Sequence, residues 1–261
     1  MQLSRIVGPL TVIALDEAHG PHFDRREDAL PEATPDDWAA ADLLDPAALA
    51  PDGRWWLRFW TYAIRSGDGP VTLVDAGIGP AGSLASHWAP VPGRLPAELA
   101  AAGIAPADVE TIVLTHLHED HIGWAVPAVT PFPNARVIAQ RADVTAFAAR
   151  PQEDALLRPL RESGRLTVLD GDAELGPGLR VIATPGHTPG HQSVLVSADD
   201  DDLLITGDLL VHTVQLLRPE VAYAYDMDAE QARTTRLSML YSRGELAVSH
   251  LGTPFTSTGN E

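Results

Sequence analysis

The 261-residue chain contains no cysteine and no lysine; all 18 of its basic residues are arginine. The first absence excludes disulfides, thiol nucleophiles and thiolate metal sites. The second excludes Schiff-base chemistry and the phosphate-gripping lysine of a P-loop. No apolar run approaches the roughly 20 residues that a membrane span requires. The opening stretch "MQLSRIVGPLTVIALDEAHG" has one arginine and a short apolar run, but Gly8-Pro9 interrupts it and no small-x-small cleavage site follows clearly. It reads as a first strand, not an export signal, and a cytoplasmic protein is expected. Positive charge is scarce too. A net charge of -18 repels phosphate backbones and anionic membranes, so neither nucleic acid nor membrane is expected as a partner.

What is present is an ordinary globular composition, 45% hydrophobic and 21% charged, long enough for a sizeable core. Periodicity and turn residues predict strands over 10–15, 55–65, 71–75, 111–115, 136–139, 166–169, 179–184, 192–197, 203–206 and 246–249. They predict helices over 95–102, 142–149, 154–163 and 229–243, the last opened by Asp228 and Gln231 at capping-box spacing. No repeat or linker divides the chain, so residues 1–261 read as one α/β layered domain. Segment 16–54 is rich in Pro, Asp and Ala and reads as a long excursion with a short helix near 36–44. It is expected to cover a pocket or to form a contact in a homodimer, with Trp38, Leu43 and Leu44 as its apolar residues; a solvated insertion fits the pattern equally.

The stretch "LTHLHEDHIGW", residues 114–124, crowds three histidines and two acids into positions 116–121. Imidazoles and carboxylates are the ligands of divalent ions such as zinc. His116, His118 and Asp120 alternate, whereas His121 follows Asp120 directly and projects differently. That spacing suits two neighbouring ions better than one. Three later segments repeat one plan, an apolar strand and then a ligand-type side chain. "ATPGHTPGHQS" carries His187, "LLITGDLL" carries Asp208, and "LAVSHLG" carries His250. Gly207 permits close backbone approach beside Asp208.

This order of H-x-H-x-D-H, a Gly-His loop, a Gly-Asp and a late histidine resembles the metallo-β-lactamase superfamily over about residues 73–250. The resemblance implies an αββα sandwich of two mixed sheets with the site at one edge. It implies two divalent metal ions, zinc foremost, with His116, His118 and His187 on the first and Asp120, His121 and His250 on the second. Asp208 would bridge them. "LVDAGIG" resembles the family's early Asp-x-Gly turn, so Asp75 becomes a carboxylate that orients a ligand histidine, beside the plainer reading of a turn acid. His191 stands either behind the ligands or in a structural hydrogen bond of its own loop.

Two ions bridged by a hydroxide would supply a nucleophile near neutral pH, since metal binding lowers the pKa of water from about 15.7 to about 7. Asp120 would position that nucleophile or pass a proton to the leaving group, and no protein nucleophile is needed. The wording "PGHTPGHQS" and the block around Asp208 resemble the N-acyl homoserine lactonases and the methyl-parathion-hydrolase-like branch. A small, neutral lactone or ester is therefore the expected substrate, with phosphotriester cleavage as a side activity. A glyoxalase-II-like thioesterase would want a basic C-terminal domain for glutathione, whereas eleven residues follow His250. A mono-iron persulfide-oxidising enzyme needs only the first trio of histidines, and a non-catalytic module would have lost ligands. Trp124, His212, Tyr223 and Tyr225 are pocket candidates, each beside the plainer reading as a core side chain.

Overall fold

A computed structural model describes residues 3–199, 201–242 and 244–258. Strands β1 (Leu3–Val7), β2 (Leu10–Pro21), β3 (Trp56–Ser66), β4 (Val71–Val74), β5 (Val109–Val113), β6 (Arg136–Gln140) and β7 (Leu166–Leu169) form one sheet in that order. Strands β8 (Ala173–Gly176), β9 (Leu179–Ala183), β10 (Gln192–Ala198), β11 (Asp201–Ile205), β12 (Glu245–Ala247) and β13 (Phe255–Ser257) form the second, also in order. The first sheet is antiparallel from β1 to β4 and parallel from β4 to β7. In the second, only the β11–β12 pair is parallel.

Side-chain alternation builds the layers. In β2, Val12 and Ala14 join the core between the sheets, while Ile13 and Leu15 join the core beneath the helices of the first sheet. In β10, Val194 and Val196 lie between the sheets and Leu195 meets Leu240 of helix Ala229–Tyr241 on the outer side. Helices Leu95–Ala101 and Arg158–Glu162 cover the first sheet through Leu95, Leu99 and Leu160. Central strands buried on both faces read as near-continuous apolar runs, which is why the sequence shows them clearly. The result is the expected αββα sandwich of two mixed sheets.

The structure corrects the sequence reading at the start of the excursion. Gly8-Pro9 is the turn of a β1–β2 hairpin, with Gly8 at φ 55°. Strand β2 then continues to Pro21 past a bulge between Asp16 and Ala18, so the excursion begins after Pro21 rather than at Asp16. Asp16 and Glu17 break the apolar pattern and hid this extension. Glu17 is nonetheless fully buried, accepting hydrogen bonds from the Trp124 indole (2.9 Å) and the Ile78 amide (3.2 Å). Burial pushes its pKa up to about 7, against those hydrogen bonds. A Cβ at Gly93 would lie 1.5 Å from Glu17 Oε1, so glycine there makes room for the carboxyl group.

Within the excursion, helix Pro35–Leu44 starts on a capping box between Thr34 and Asp37. Trp38 is buried, but Leu43 and Leu44 are 85% and 58% exposed, so only the first of the three is covered by this chain. Strands β1, β8 and β13 escaped the pattern because they are short or exposed at sheet edges. The last helix ends at Tyr241; the predicted end at Arg243 lies outside the described residues. Among the described residues no helix is long and apolar enough to cross a membrane.

Candidate metal centre

The turns that follow β4, β5, β9, β11 and β12 carry Asp75, the His116–His121 cluster, His187, Asp208 and His250. These strand ends meet at one edge of the sandwich. Asp75 sits at φ 63°, a left-handed conformation uncommon outside glycine and often found where a site demands it. Its Oδ1 accepts the Thr115 amide (2.7 Å), and its Oδ2 accepts the Thr115 hydroxyl (2.9 Å) and faces His121 Nδ1 (2.8 Å). One carboxylate thus fixes both the backbone leading into the cluster and the ring of His121.

Tautomers follow from the partners. His121 Nδ1 meets Asp75, His187 Nδ1 meets Asp226 Oδ1 at 3.0 Å, and His250 Nδ1 meets the Arg58 carbonyl at 2.7 Å. Each acceptor calls for Nδ1–H and leaves the Nε2 lone pair turned inward. His118 presents Nδ1 instead, 2.9 Å from His116 Nε2 and 3.0 Å from His187 Nε2. Asp208 lies between the two groups. Its Oδ2 is 3.3 Å from His187 Nε2 and 3.9 Å from His116 Nε2; its Oδ1 is 3.3 Å from His121 Nε2 and 3.1 Å from His250 Nε2. Asp120 Oδ2 lies 3.4 Å from His121 Nε2 and 3.6 Å from His250 Nε2.

Electrostatics divide the histidines. Burial, reinforced by neighbouring histidines, holds His116 well below the ordinary range and His118 at about 3, so both are neutral and ready to ligate. Burial alone would lower His121 and His250 too, but Asp208 and Asp120 outweigh it and raise both. Burial likewise opposes ionisation of Asp120 and Asp208, yet His121 and His250 hold both carboxyls below their ordinary range. His121 Nε2 and Asp208 Oδ1 are buried and make no hydrogen bond among the described residues. A cation between them would satisfy both. The ligand atoms of His116, His118 and His187 lie within 4.8 Å of one another, as do those of His116, His121 and Asp208, and those of Asp120, His121 and His250. The donor set fits two divalent ions.

The supporting residues were mostly silent in the sequence. His191 Nδ1 faces the Thr184 carbonyl (3.0 Å), and its Nε2 accepts the Asp208 amide (2.9 Å). It therefore holds Asp208 through the backbone and, with a pKa lowered by burial to about 3, stays neutral. A Cβ at Gly207 would lie 2.7 Å from that same Nε2, which is the close approach the sequence suggested. Buried Asp143 pins the His187 loop by accepting Thr188 Oγ1 (2.9 Å) and the Gly190 amide (2.6 Å). Neither Asp143 nor Asp226 stands in a motif, and no periodicity marks them.

Above the two groups opens a cleft of about 330 Å³, walled by Phe23, Trp55, Trp88, Phe147, Tyr223 and Tyr225, with Asp120, Asp208 and His250 beneath. Tyr223 and Tyr225 are therefore placed on it. Two other pocket candidates are corrected. Trp124 does not line the cleft: after the turn Glu119–Ile122 its amide bonds the Ala76 carbonyl (2.9 Å) and its indole reaches Glu17. His212 is buried between Trp38 and Trp55, with ring centres 5.2 and 5.3 Å away, and its Nδ1 accepts the Val214 amide. Nearness in sequence to His121 or Asp208 did not fix the direction of either ring.

The Asp75 contact carries a prediction. In Asp75→Asn the amide NH2 would face His121 Nδ1 and drive the hydrogen onto Nε2, the nitrogen turned inward. Metal affinity is expected to fall about 10–100-fold. Competition against a chromophoric chelator measures it, and wild-type affinity in the variant would refute the assignment.

A sequence model of the metallo-beta-lactamase superfamily matches residues 56–249, which contain the whole inward-turned set except His250. The chain belongs to this superfamily. Among its relatives, the N-acyl homoserine lactonase of Bacillus cereus is 30% identical over 200 residues, covering 71% of this chain and 76% of that protein. A second N-acyl homoserine lactonase, from a Bacillus species, is 31% identical over 201 residues with the same coverage. Among solved structures, the hydrolase AbOPH of the beta lactamase superfamily superposes with a TM-score of 0.81 at 25% identity, covering 98% of this chain and 92% of that one. The dizinc quorum-quenching lactonase AidC gives a TM-score of 0.77 at 19% identity over 98% and 92% of the two chains, a likeness of fold. The superfamily's αββα architecture is the one described above.

Proposed function

We propose that this chain is a dinuclear metal-dependent hydrolase of neutral lactones and esters, with an acyl homoserine lactone as the first substrate to test. The observation that carries the reading is the convergence of two ligand groups on one carboxylate, Asp208, beneath an aromatic-walled cleft. The names of the Bacillus relatives support the choice of lactone. His116, His118 and His187 would hold one ion and Asp120, His121 and His250 the other, with Asp208 shared; zinc suits the nitrogen-rich set. When bound, the two ions lower the pKa of water and polarise the substrate carbonyl.

The chain's own residues do the rest. Asp75, Asp226 and the Arg58 carbonyl keep three imidazoles in the tautomer that turns Nε2 inward. The aromatic walls exclude water and hold an apolar substrate body. Asp120, at the cleft floor, would take a proton from the attacking water and release it to the ring oxygen as the acyl–oxygen bond breaks and one water is consumed. Among the described residues Arg150 is the only arginine lining the cleft, and it sits 5.1 Å over the Phe147 ring. With a net charge of -18, that leaves little to attract a polyanion.

The test is a panel of neutral lactones, an aryl ester, a phosphotriester and a glutathione thioester on metal-quantified protein. Hydrolysis of at least one lactone or ester is expected, lost on chelation and restored by zinc, manganese or cobalt, with about two metal equivalents bound. Efficient thioester cleavage beside inert lactones and esters would overturn the reading. So would a metal content fixed at one equivalent whatever is added.

A further inference from the structure

His22 lies far from every motif, yet the structure places it on the wall of the cleft. Its ring is 5% exposed and clamped between Phe23 (centres 4.1 Å apart, 26° between planes) and Trp55 (4.4 Å, 25°), so its plane is fixed. Its Nδ1 lies 3.0 Å from the Asp24 backbone nitrogen. Nδ1 also lies 3.4 Å from the Asp24 carbonyl, but the backbone amide is the closer partner and can only donate, so Nδ1 carries a lone pair. In the neutral ring the hydrogen is then on Nε2, and burial, which lowers the His22 pKa, keeps the ring neutral. Nε2 faces one polar atom among the described residues, the Tyr223 hydroxyl oxygen at 3.5 Å.

That contact sets the phenol. If Nε2–H donates, the Tyr223 oxygen accepts. No acceptor for the phenol's own hydrogen exists among the described residues. The Tyr223 ring lies nearly parallel to His187 (5.9 Å, 19°) and edge-on to Trp55 (6.4 Å, 84°), and Tyr223 and Asp208 both line the cleft. A phenol keeps its hydrogen at neutral pH, so Tyr223 is a donor. A 3.5 Å contact is long, and such contacts tighten when substrate fills a site.

We propose that His22 is a positioning residue: held as the Nε2–H tautomer by the Asp24 amide, it donates to the Tyr223 oxygen and aims the phenol hydrogen at an oxygen of the bound substrate. The inference rests on the hydrolase reading and deepens it. It separates two jobs in one wall. Tyr223 touches the substrate, and His22 acts only through Tyr223.

Two measurements on the zinc-loaded protein test this. Nitrogen-15 NMR of histidine-labelled protein, with His22 assigned against the His22→Phe spectrum, should show the Nε2–H tautomer; an Nδ1–H tautomer overturns the proposal whether or not any substrate is turned over. The second is a kinetic cycle on whichever panel substrate is hydrolysed. His22→Phe keeps the stacked ring and removes the donor, and should lower kcat about three- to tenfold with little change in KM. Tyr223→Phe should cost at least as much, and the double variant no more than Tyr223→Phe alone. His22→Gln, which offers an amide donor, should recover part of kcat. Additive losses, or a His22→Phe defect confined to KM, would overturn the role. Failure of every lactone and ester in the panel would instead fall on the hydrolase reading, and the tautomer would still decide the placement of the hydrogen.

Discussion

Asp208→Ala is expected to lower kcat/KM on the best lactone or ester about a thousandfold and to reduce bound metal from about two equivalents to one or fewer. Among the described residues Asp208 is the one side chain whose oxygens face both groups: Oδ2 toward His187 and His116, Oδ1 toward His121 and His250. A bound cation supplies several kcal/mol of charge stabilisation in the transition state, and each 1.36 kcal/mol is a factor of ten in rate. Elemental analysis and steady-state kinetics on the same preparation measure both effects, with circular dichroism to show that the variant is folded. Full metal content together with activity within tenfold of wild type would remove Asp208 from the shared position.

The same variant carries a pH signature in the metal-free protein. His121 and His250 are raised above the ordinary 6.5, in large part by Asp208. A raised pKa adds stability that is fully present below pH 6.5 and is lost as pH rises through the folded value. Asp208 itself is held below its ordinary 3.8, so its contribution is present above that pH and lost as pH falls through the folded value. Metal-free wild type should therefore lose stability as pH rises above about 6.5 more steeply than Asp208→Ala. Parallel denaturation curves across that range would contradict the charge arrangement. If His121 and His250 ligate as proposed, metal binding displaces protons from them, so affinity should rise with pH above about 6.5.

How much of this could be read in advance differs by residue. The convergence of His116, His118, Asp120, His121, His187, Asp208 and His250 was legible because each follows an apolar strand, and a side chain at a strand end needs only local sequence to be seen. Asp75 was legible for the same reason. The layers were legible because strands such as β10 bury both faces. Glu17 was not: a carboxylate inside a strand breaks the pattern, and only Gly77, Gly93 and Trp124, distant in sequence, reveal why it is tolerated. His22 and Asp226 were not, because each acts on a group far along the chain. Trp124 and His212 mark the opposite error. Each stands close in sequence to a ligand, but backbone direction turns one toward Glu17 and the other between Trp38 and Trp55.

Asp120→Asn should separate ligation from proton transfer. The substitution keeps the volume of a buried side chain and removes its charge. Asp120 lies on the cleft floor and faces His121 and His250, so on the proposed reading it serves both the second metal group and the surface the substrate meets. General acid–base catalysis contributes about 10²–10⁴-fold, and kcat on an alkyl lactone is expected to fall by at least about a hundredfold. The alkoxide released from a lactone is strongly basic and needs a proton as the bond breaks. A nitrophenolate leaving group does not, so the loss on a nitrophenyl ester should be at least about tenfold smaller. Metal must be quantified in each assay, since weaker ligation alone would lower both rates by the same factor. Equal losses on both substrates at full metal content would remove the proton-transfer role and leave Asp120 as a ligand. Near-normal turnover of both would remove Asp120 from the reaction altogether.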